Sequence, residues 1–231
     1  GADNGIGLCS ALAVLASSDV VHGPLEVLVT TDEEAGMTGA FGLQPNWLTG
    51  DILINTDSEQ EGEVYMGCAG GVDAEATFEL SFEPVPEQYQ SFNLSISGLK
   101  GGHSGVDIDT GRANANKLLV RFLRQACEIF DIRITELNGG SLRNAIPREA
   151  DVSFVVPVKQ VEALNQSIND YLITLKSTLG SVETDIEMLL ISPEILSECW
   201  NKDIQNTILC ALNVFPNGVI RMSDDIDGIV E

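Results

Sequence analysis

Positive charge is scarce in this chain. Twelve Lys and Arg stand against 35 Asp and Glu in 231 residues, for a formal charge of −23. Such a balance repels nucleic-acid phosphates and anionic lipid headgroups, and so excludes both as partners held by charge. Histidine is scarcer still, with only His22 and His103. Five cysteines, at 9, 68, 127, 199 and 210, form no Cys-x-x-Cys pair. An odd, scattered set reads as reduced thiols of a cytoplasmic protein, packed mostly as small buried apolar groups. No apolar run approaches the ~20 residues that cross a bilayer, and no basic-then-apolar leader is seen. An initiator Met is missing too, and Gly1 falls inside a motif, so the chain reads as a piece of something longer.

What the chain does have is apolar material and concentrated acid. Hydrophobic residues make up 44% of it, ample for one large or two small cores. The run Leu25-Glu26-Val27-Leu28-Val29-Thr30-Thr31 has strand length and empties into Asp32-Glu33-Glu34, then Ala35-Gly36. Consecutive residues leaving a strand point in divergent directions, so Glu33 and Glu34 suit two different tasks at one place: one holding a cation, the other facing a water bound to it. A solvated acidic turn is the plainer alternative. Two further carboxylate sites, at Asp3 and at Asp57 after the apolar run 51–55, also lie at segment ends. Parallel α/β units deliver such ends to one edge of a sheet, where the three could converge.

Periodicity divides the chain after residue 71. Before it, a small-residue helix over 5–18, a strand over 25–31, a short helix and loop over 37–48 and a strand over 51–55 have the grammar of a parallel sheet. After it come β-rich segments at 72–82 and 89–98. In the second of these, Phe92, Leu94 and Ile96 alternate with Asn93, Ser95 and Ser97. A glycine-rich loop around His103 precedes a helix over 112–130, with Ala115, Leu119, Phe122, Ala126 and Ile129 on one face. Strands over 132–137 and 151–156 follow. A second helix over 159–179 carries Val161, Leu164, Ile168, Leu172, Leu175 and Leu179, and a strand over 184–191 closes a βαββαβ series, the order of a ferredoxin-like sandwich. Beyond Pro193 the pattern predicts a helix over 201–213 and the start of a strand at 219–221.

Five motifs occur in one order: Gly1-Ala2-Asp3-Asn4-Gly5, Thr30-Thr31-Asp32-Glu33-Glu34-Ala35-Gly36, Asn55-Thr56-Asp57-Ser58-Glu59, Gly101-Gly102-His103-Ser104-Gly105 and Asn144-Ala145-Ile146-Pro147. In that order the sequence resembles the co-catalytic zinc aminopeptidase and carboxypeptidase clan, and within it the aminoacyl-histidine dipeptidase family. The resemblance implies an α/β fold in two parts. Residues 1–71 would be part of a zinc-peptidase catalytic domain, a mostly parallel sheet with helices. Residues 72–231 would be an inserted α+β ferredoxin-like lid that also serves homodimerisation, its βαββαβ unit ending near 191 and its second part incomplete. The implied activity is metal-dependent hydrolysis of unblocked dipeptides, Xaa-His types such as carnosine among them. Two zinc ions are the implied cofactor, with cobalt or manganese as substitutes. Asp3 would bridge the ions, Glu34 and Asp57 would each be a terminal ligand of one ion, and Glu33 would be the general base. His103 would stabilise the tetrahedral oxyanion, from the neighbouring subunit in dimeric relatives, and Asn144 would orient the substrate backbone near its carboxylate.

Plainer readings stand beside these. Asp3 could cap the helix that follows, as could Asn4; Asp57 could be a loop carboxylate, His103 an exposed turn residue and Asn144 a loop end. Asp32 reads as a stabiliser of its turn, and His22 as a turn residue away from any metal. The sequence also departs from the family. Zinc favours nitrogen and sulfur donors and the family uses one His per ion, but the His-x-Asp motif expected before Gly1 and the late His ligand are not in this sequence. An excerpt, inactive alone, from a dipeptidase roughly twice this length is the expectation. The strand after Pro147 reads Asp151-Val152-Ser153 where simpler relatives carry Asp-x-Arg, which leaves Arg143, Arg148 and Arg221 as candidates for the substrate carboxylate. Alternative functions are a non-catalytic lid or dimerisation module, another amidohydrolase of the clan, and an acidic cation-binding protein without chemistry.

Overall fold

The computed structural model describes residues 2–57, 61–67, 70–192, 196–224, 228 and 230, without the side chains of residues 2, 3 and 35. Ser58, Glu59, Cys68 and Pro193 lie outside the described residues. Contacts divide the chain into two units, Gly1–Ala74 and Glu75–Glu231.

In the first unit the expected helix forms as α1 (Ala2–Ala16), followed by one-turn helices α2 (Glu33–Gly36) and α3 (Thr38–Phe41). The expected parallel sheet does not form: among the described residues neither 25–31 nor 51–55 is a strand. The reason lies in what surrounds these runs. A strand apolar on both faces is stable only between neighbouring strands and beneath covering helices, whereas Ile52, Leu53 and Ile54 are 79–84% exposed here. The apolar side chains of α1 are also open, with Ile6, Leu8, Leu12 and Leu15 all exposed. Polar contacts supply the order instead. The Glu26 carboxylate accepts the N–H groups of Thr49 (2.7 Å) and Gly50 (3.0 Å), and the Thr49 bond chiefly holds its pKa below the usual value.

The second unit has the expected core. Its elements are β1 (Phe82–Pro84), β2 (Tyr89–Ser97), β3 (Gly102–His103), α4 (Ala115–Ile129), β4 (Arg133–Gly139), β5 (Ala145–Ile146), β6 (Ala150–Pro157), a 3₁₀ turn (Val158–Gln160), α5 (Val161–Leu179), β7 (Glu187–Ile191), β8 (Glu198–Trp200) and α6 (Lys202–Val214). A four-stranded sheet runs β4-β6-β2-β7 with antiparallel neighbours, the strand order of a ferredoxin-like sandwich. Alternation along β2 buries Phe92, Leu94 and Ile96, and Phe92 lies opposite Phe154 of β6 with ring centroids 6.0 Å apart. The helices close this face. Leu118, Leu119, Phe122, Leu123 and Ala126 of α4 and Leu164, Ile168 and Leu175 of α5 join the same cluster, and the Tyr171 hydroxyl donates to the Leu118 carbonyl (2.9 Å). Asn114 caps α4 by accepting from Lys117 N–H (3.2 Å).

Several expectations shift at the edges. Ile129, in the last turn of α4, is 67% exposed rather than on the core stripe. The segment 72–81 is not a strand, and 219–221 makes none; among the described residues nearby, Met222 and Val230 form a bridge. Cys9 and Cys210 are exposed, Cys127 is half-buried and Cys199 is buried, all four as free thiols. The pairing of β1 with β8 has no sequence signal, since three-residue strands are too short to show a period. Buried Arg133 fastens this ribbon by donating to Glu83 (2.7 Å) and to the Trp200 carbonyl (2.9 Å). Gln205 joins α6 to the sheet by accepting from Ile134 N–H (2.8 Å) and donating to the Ile132 carbonyl (3.1 Å).

Phe154 is fully buried, so Phe154→Ala is expected to cost about 3–5 kcal/mol, read as a lowered urea midpoint of the Trp200 fluorescence transition. A second expectation concerns alkaline pH. Burial pushes the Tyr89 phenol up from 10.0 to about 12, with its hydrogen bond to Asp131 adding to the effect. A pKa raised on folding contributes stability that is complete below the unfolded value and is lost as pH rises through the folded one. Urea midpoints should therefore fall between pH 10 and 12, and Tyr89→Phe should flatten that fall.

Candidate active site

The acidic candidates lie in the first unit. Chain reversal after Thr31 depends on Asp32, which adopts the left-handed conformation at φ 64°. Its carbonyl accepts the N–H groups of Gly36 (3.1 Å) and Met37 (2.6 Å), and its carboxylate accepts the Thr38 hydroxyl (2.8 Å). Asp32 is thus the turn residue the sequence suggested, and its turn sets Glu33 and Glu34 at the start of α2, both exposed. Asp57 is exposed as well, its N–H donating to Asn55 Oδ1 (2.8 Å). Asp3 lies in α1, and its side chain is outside the described residues. The residues that follow it are tied to the Asp57 loop: Asn4 Nδ2 donates to the Thr56 carbonyl (2.9 Å), while Asn4 Oδ1 accepts Gly7 N–H (2.9 Å). A Cβ at Gly7 would sit 2.1 Å from Thr56 Oγ1, so glycine permits the close approach of helix and loop.

Among the described residues no group of three or more His, Cys, Asp and Glu side chains could hold a metal ion. The candidate donors are carboxylates alone, which zinc accepts less readily than nitrogen and sulfur. His22 Nδ1 is hydrogen-bonded to the neighbouring Gly23 carbonyl (2.7 Å).

The candidate His103 lies in the second unit, in a loop with many bonds of its own. Strand β2 ends at Ser97, Gly98 follows, and the chain reaches α4 through a loop braced by charge. Arg112 pairs with Asp107 (2.8 Å) and donates to the Gly101 carbonyl (2.6 Å). The other Asp107 oxygen accepts His103 N–H (2.8 Å). Inside this brace, His103 Nδ1 lies 3.0 Å from Gly105 N and 3.2 Å from Val106 N, accepting from both N–H groups. An accepting Nδ1 assigns the ring proton to Nε2, so exposed His103 presents an N–H donor on its outer edge. Pairing of β3 with β5 sets His103 opposite Ala145, and Ser104 N–H donates to the Asn144 carbonyl (2.9 Å). The two candidates 41 positions apart, His103 and Asn144, are thereby neighbours. Beside them a groove of about 480 Å³ is lined by Ser104, Asn116, Ser141, Arg143, Ile146 and Pro147 among others. Of the three candidate arginines, Arg143 faces this groove, while Arg148 packs on Gly101.

Sequence reasoning did not single out Asp107 or Arg112. An aspartate four residues after the histidine, within a glycine-rich segment, was the available signal. Gly102 must be glycine at φ 141°, because a Cβ there would lie 2.2 Å from Arg112 Nη1 and 2.5 Å from Asp107 Oδ2.

Known proteins resemble this chain along its whole length. Residues 94–178, which run from β2 through α5, match the family model of the peptidase dimerisation domain. Over all 231 residues the chain is 54% identical to the cytosol non-specific dipeptidase of Escherichia coli K12, covering 48% of that protein. It superposes on the crystal structure of the aminoacylhistidine dipeptidase from Vibrio alginolyticus with a TM-score of 0.81 and 54% identity, covering all of this chain and 47% of that one. The resemblance read from the motifs therefore extends along the whole chain, which spans about half the length of the relatives it matches.

Gly102→Ala is expected to break the brace without touching the core. Amide hydrogen exchange at His103, Gly105, Val106 and Asp107 should quicken by about tenfold or more while β2 and β6 keep their protection; unchanged exchange in the loop would contradict the role given to the glycine.

Proposed function

We propose that the protein containing this chain hydrolyses unblocked dipeptides, Xaa-His dipeptides such as carnosine included, and that this chain supplies its general base and its oxyanion donor. The observation that carries the reading is 54% identity over every residue of the chain to a dipeptidase, with the five motifs present in order.

In this reading Glu33 takes the proton of the attacking water and returns it to the leaving amine, a role for which an exposed carboxylate at a turn is accessible. His103 donates from Nε2 to the oxygen of the tetrahedral intermediate, where a preplaced donor is worth most. Asn144 orients the substrate backbone near its carboxylate, and Arg143, which lines the adjacent groove, is the arginine chosen to meet that carboxylate. Asp3, Glu34 and Asp57 are the part of a divalent-ion donor set that this chain carries. Two zinc ions are the first choice of occupant, and cobalt or manganese is acceptable to oxygen donors; such ions would polarise the scissile carbonyl. In this reading the remaining donors belong to the part of the relatives' length that this chain does not span. Residues 1–71 belong in this reading to the catalytic domain and 72–231 to a lid that pairs two subunits, a role supported by the dimerisation-domain match. A cytoplasmic location accords with the name of the Escherichia coli relative, and among the described residues no helix is long and apolar enough to cross a membrane.

Replacing Glu33 by Gln in the whole protein separates base from ligand. Turnover of Xaa-His dipeptides should drop by about 100-fold or more, while the metal content measured by plasma mass spectrometry stays at the wild-type level. Full turnover in the variant would remove Glu33 from the mechanism.

A further inference from the structure

A carboxylate far from both acidic and histidine motifs holds the two ends of the His103 loop together. Glu183 follows α5 and is fully buried. One of its oxygens accepts Lys100 N–H (2.8 Å), where the chain enters the loop, and the other accepts Ala113 N–H (2.8 Å), where it leaves. The clamp is anchored in turn, because Glu183 N–H donates to the Leu179 carbonyl at the end of α5 (2.7 Å). The same segment meets the loop again at Gly98, whose φ is 76° and where a Cβ would lie 1.9 Å from the Asp185 carbonyl oxygen. Charged acceptors make stronger hydrogen bonds than neutral ones, and more so away from water. Between the clamped ends, Arg112, Asp107 and His103 form one connected series of bonds. The direction of the imidazole thus depends on where residues 100 and 113 are held.

We propose that Glu183 is a positioning residue for His103: its buried carboxylate closes the base of the loop, so that the ring keeps one tautomer and one direction. The inference rests on the reading of His103 as the oxyanion donor. It assigns a functional consequence to a residue 80 positions away from that histidine, with no motif of its own.

The test uses the whole protein in a cycle of His103→Ala, Glu183→Gln and the double variant. Gln keeps the shape but sets an NH₂ group against one of the two backbone donors. His103→Ala should lower kcat by about 100-fold. Glu183→Gln should lower kcat by about tenfold with KM within about twofold, and the double variant should match His103→Ala within about twofold, since two residues acting through one group are not additive. Effects that multiply, or an unchanged kcat in Glu183→Gln, would overturn the proposal. If His103→Ala retains full turnover, the catalytic reading of His103 fails, and the clamp is judged separately from the ¹⁵N shifts of the His103 ring. A wild-type pattern of accepting Nδ1 and protonated Nε2 that becomes a mixture in Glu183→Gln supports the clamp; an unaltered pattern refutes it. Should Glu183→Gln fail to fold, Glu183→Asp, which keeps the charge and withdraws it by one methylene, is read in the same way.

Discussion

Strand β2 is held on both flanks, by β6 and by β7, and the loop that carries His103 leaves from its C-terminal end. Every later feature of the second unit inherits that geometry. The fully buried row of Leu94 and Ile96 fixes which way the strand faces, because a one-residue slip would turn these side chains to the opposite side. With the register fixed, Gly98 meets the segment before β7, Glu183 reaches both ends of the loop, and β3 finds β5. A histidine in a glycine-rich loop would otherwise sample many directions. Here it is oriented by a sheet whose stability comes from elsewhere.

Polar groups do the fine positioning while apolar packing does the coarse. Gln205, Arg133 and Glu183 are each buried, and each satisfies backbone groups that connect one element to another: α6 to β4, the β1–β8 ribbon to the sheet, and α5 to the loop. Buried polar side chains left unpaired are costly, whereas paired ones specify a single arrangement. The first unit shows the contrast. Its order comes from turns around Asp32, from Glu26 and from Asn4, while the apolar runs that would form a parallel sheet stay exposed.

Legibility in the sequence followed the length of each pattern. The period of two in 89–97 and the stripes of α4 and α5 were visible because each repeats several times, and strands β4 and β6 were found between the helices and β7 after them. Ile129 was misplaced because the stripe was carried one step past where the core ends. Runs 25–31 and 51–55 read as strands from their residue types, yet a ladder needs neighbours that residue types do not supply. The candidate site divided in the same way. Asp3, Glu33, Glu34, Asp57, His103 and Asn144 were named from motifs, and of these the structure brings His103 and Asn144 side by side through a two-residue pairing no sequence period could reveal. Glu183 was out of reach of any local reading, because its partners lie 83 and 70 positions away.

In the proposed function three carboxylates distant in sequence serve one divalent-ion centre, with Glu33 beside it. Anomalous X-ray diffraction at the zinc edge from crystals of the whole protein tests it most directly. The account predicts two peaks, with carboxylate oxygens of Asp3, Glu34 and Asp57 at about 2.0–2.2 Å from them and Glu33 near without ligating. Zinc bound elsewhere, with these three side chains turned to solvent, would contradict it.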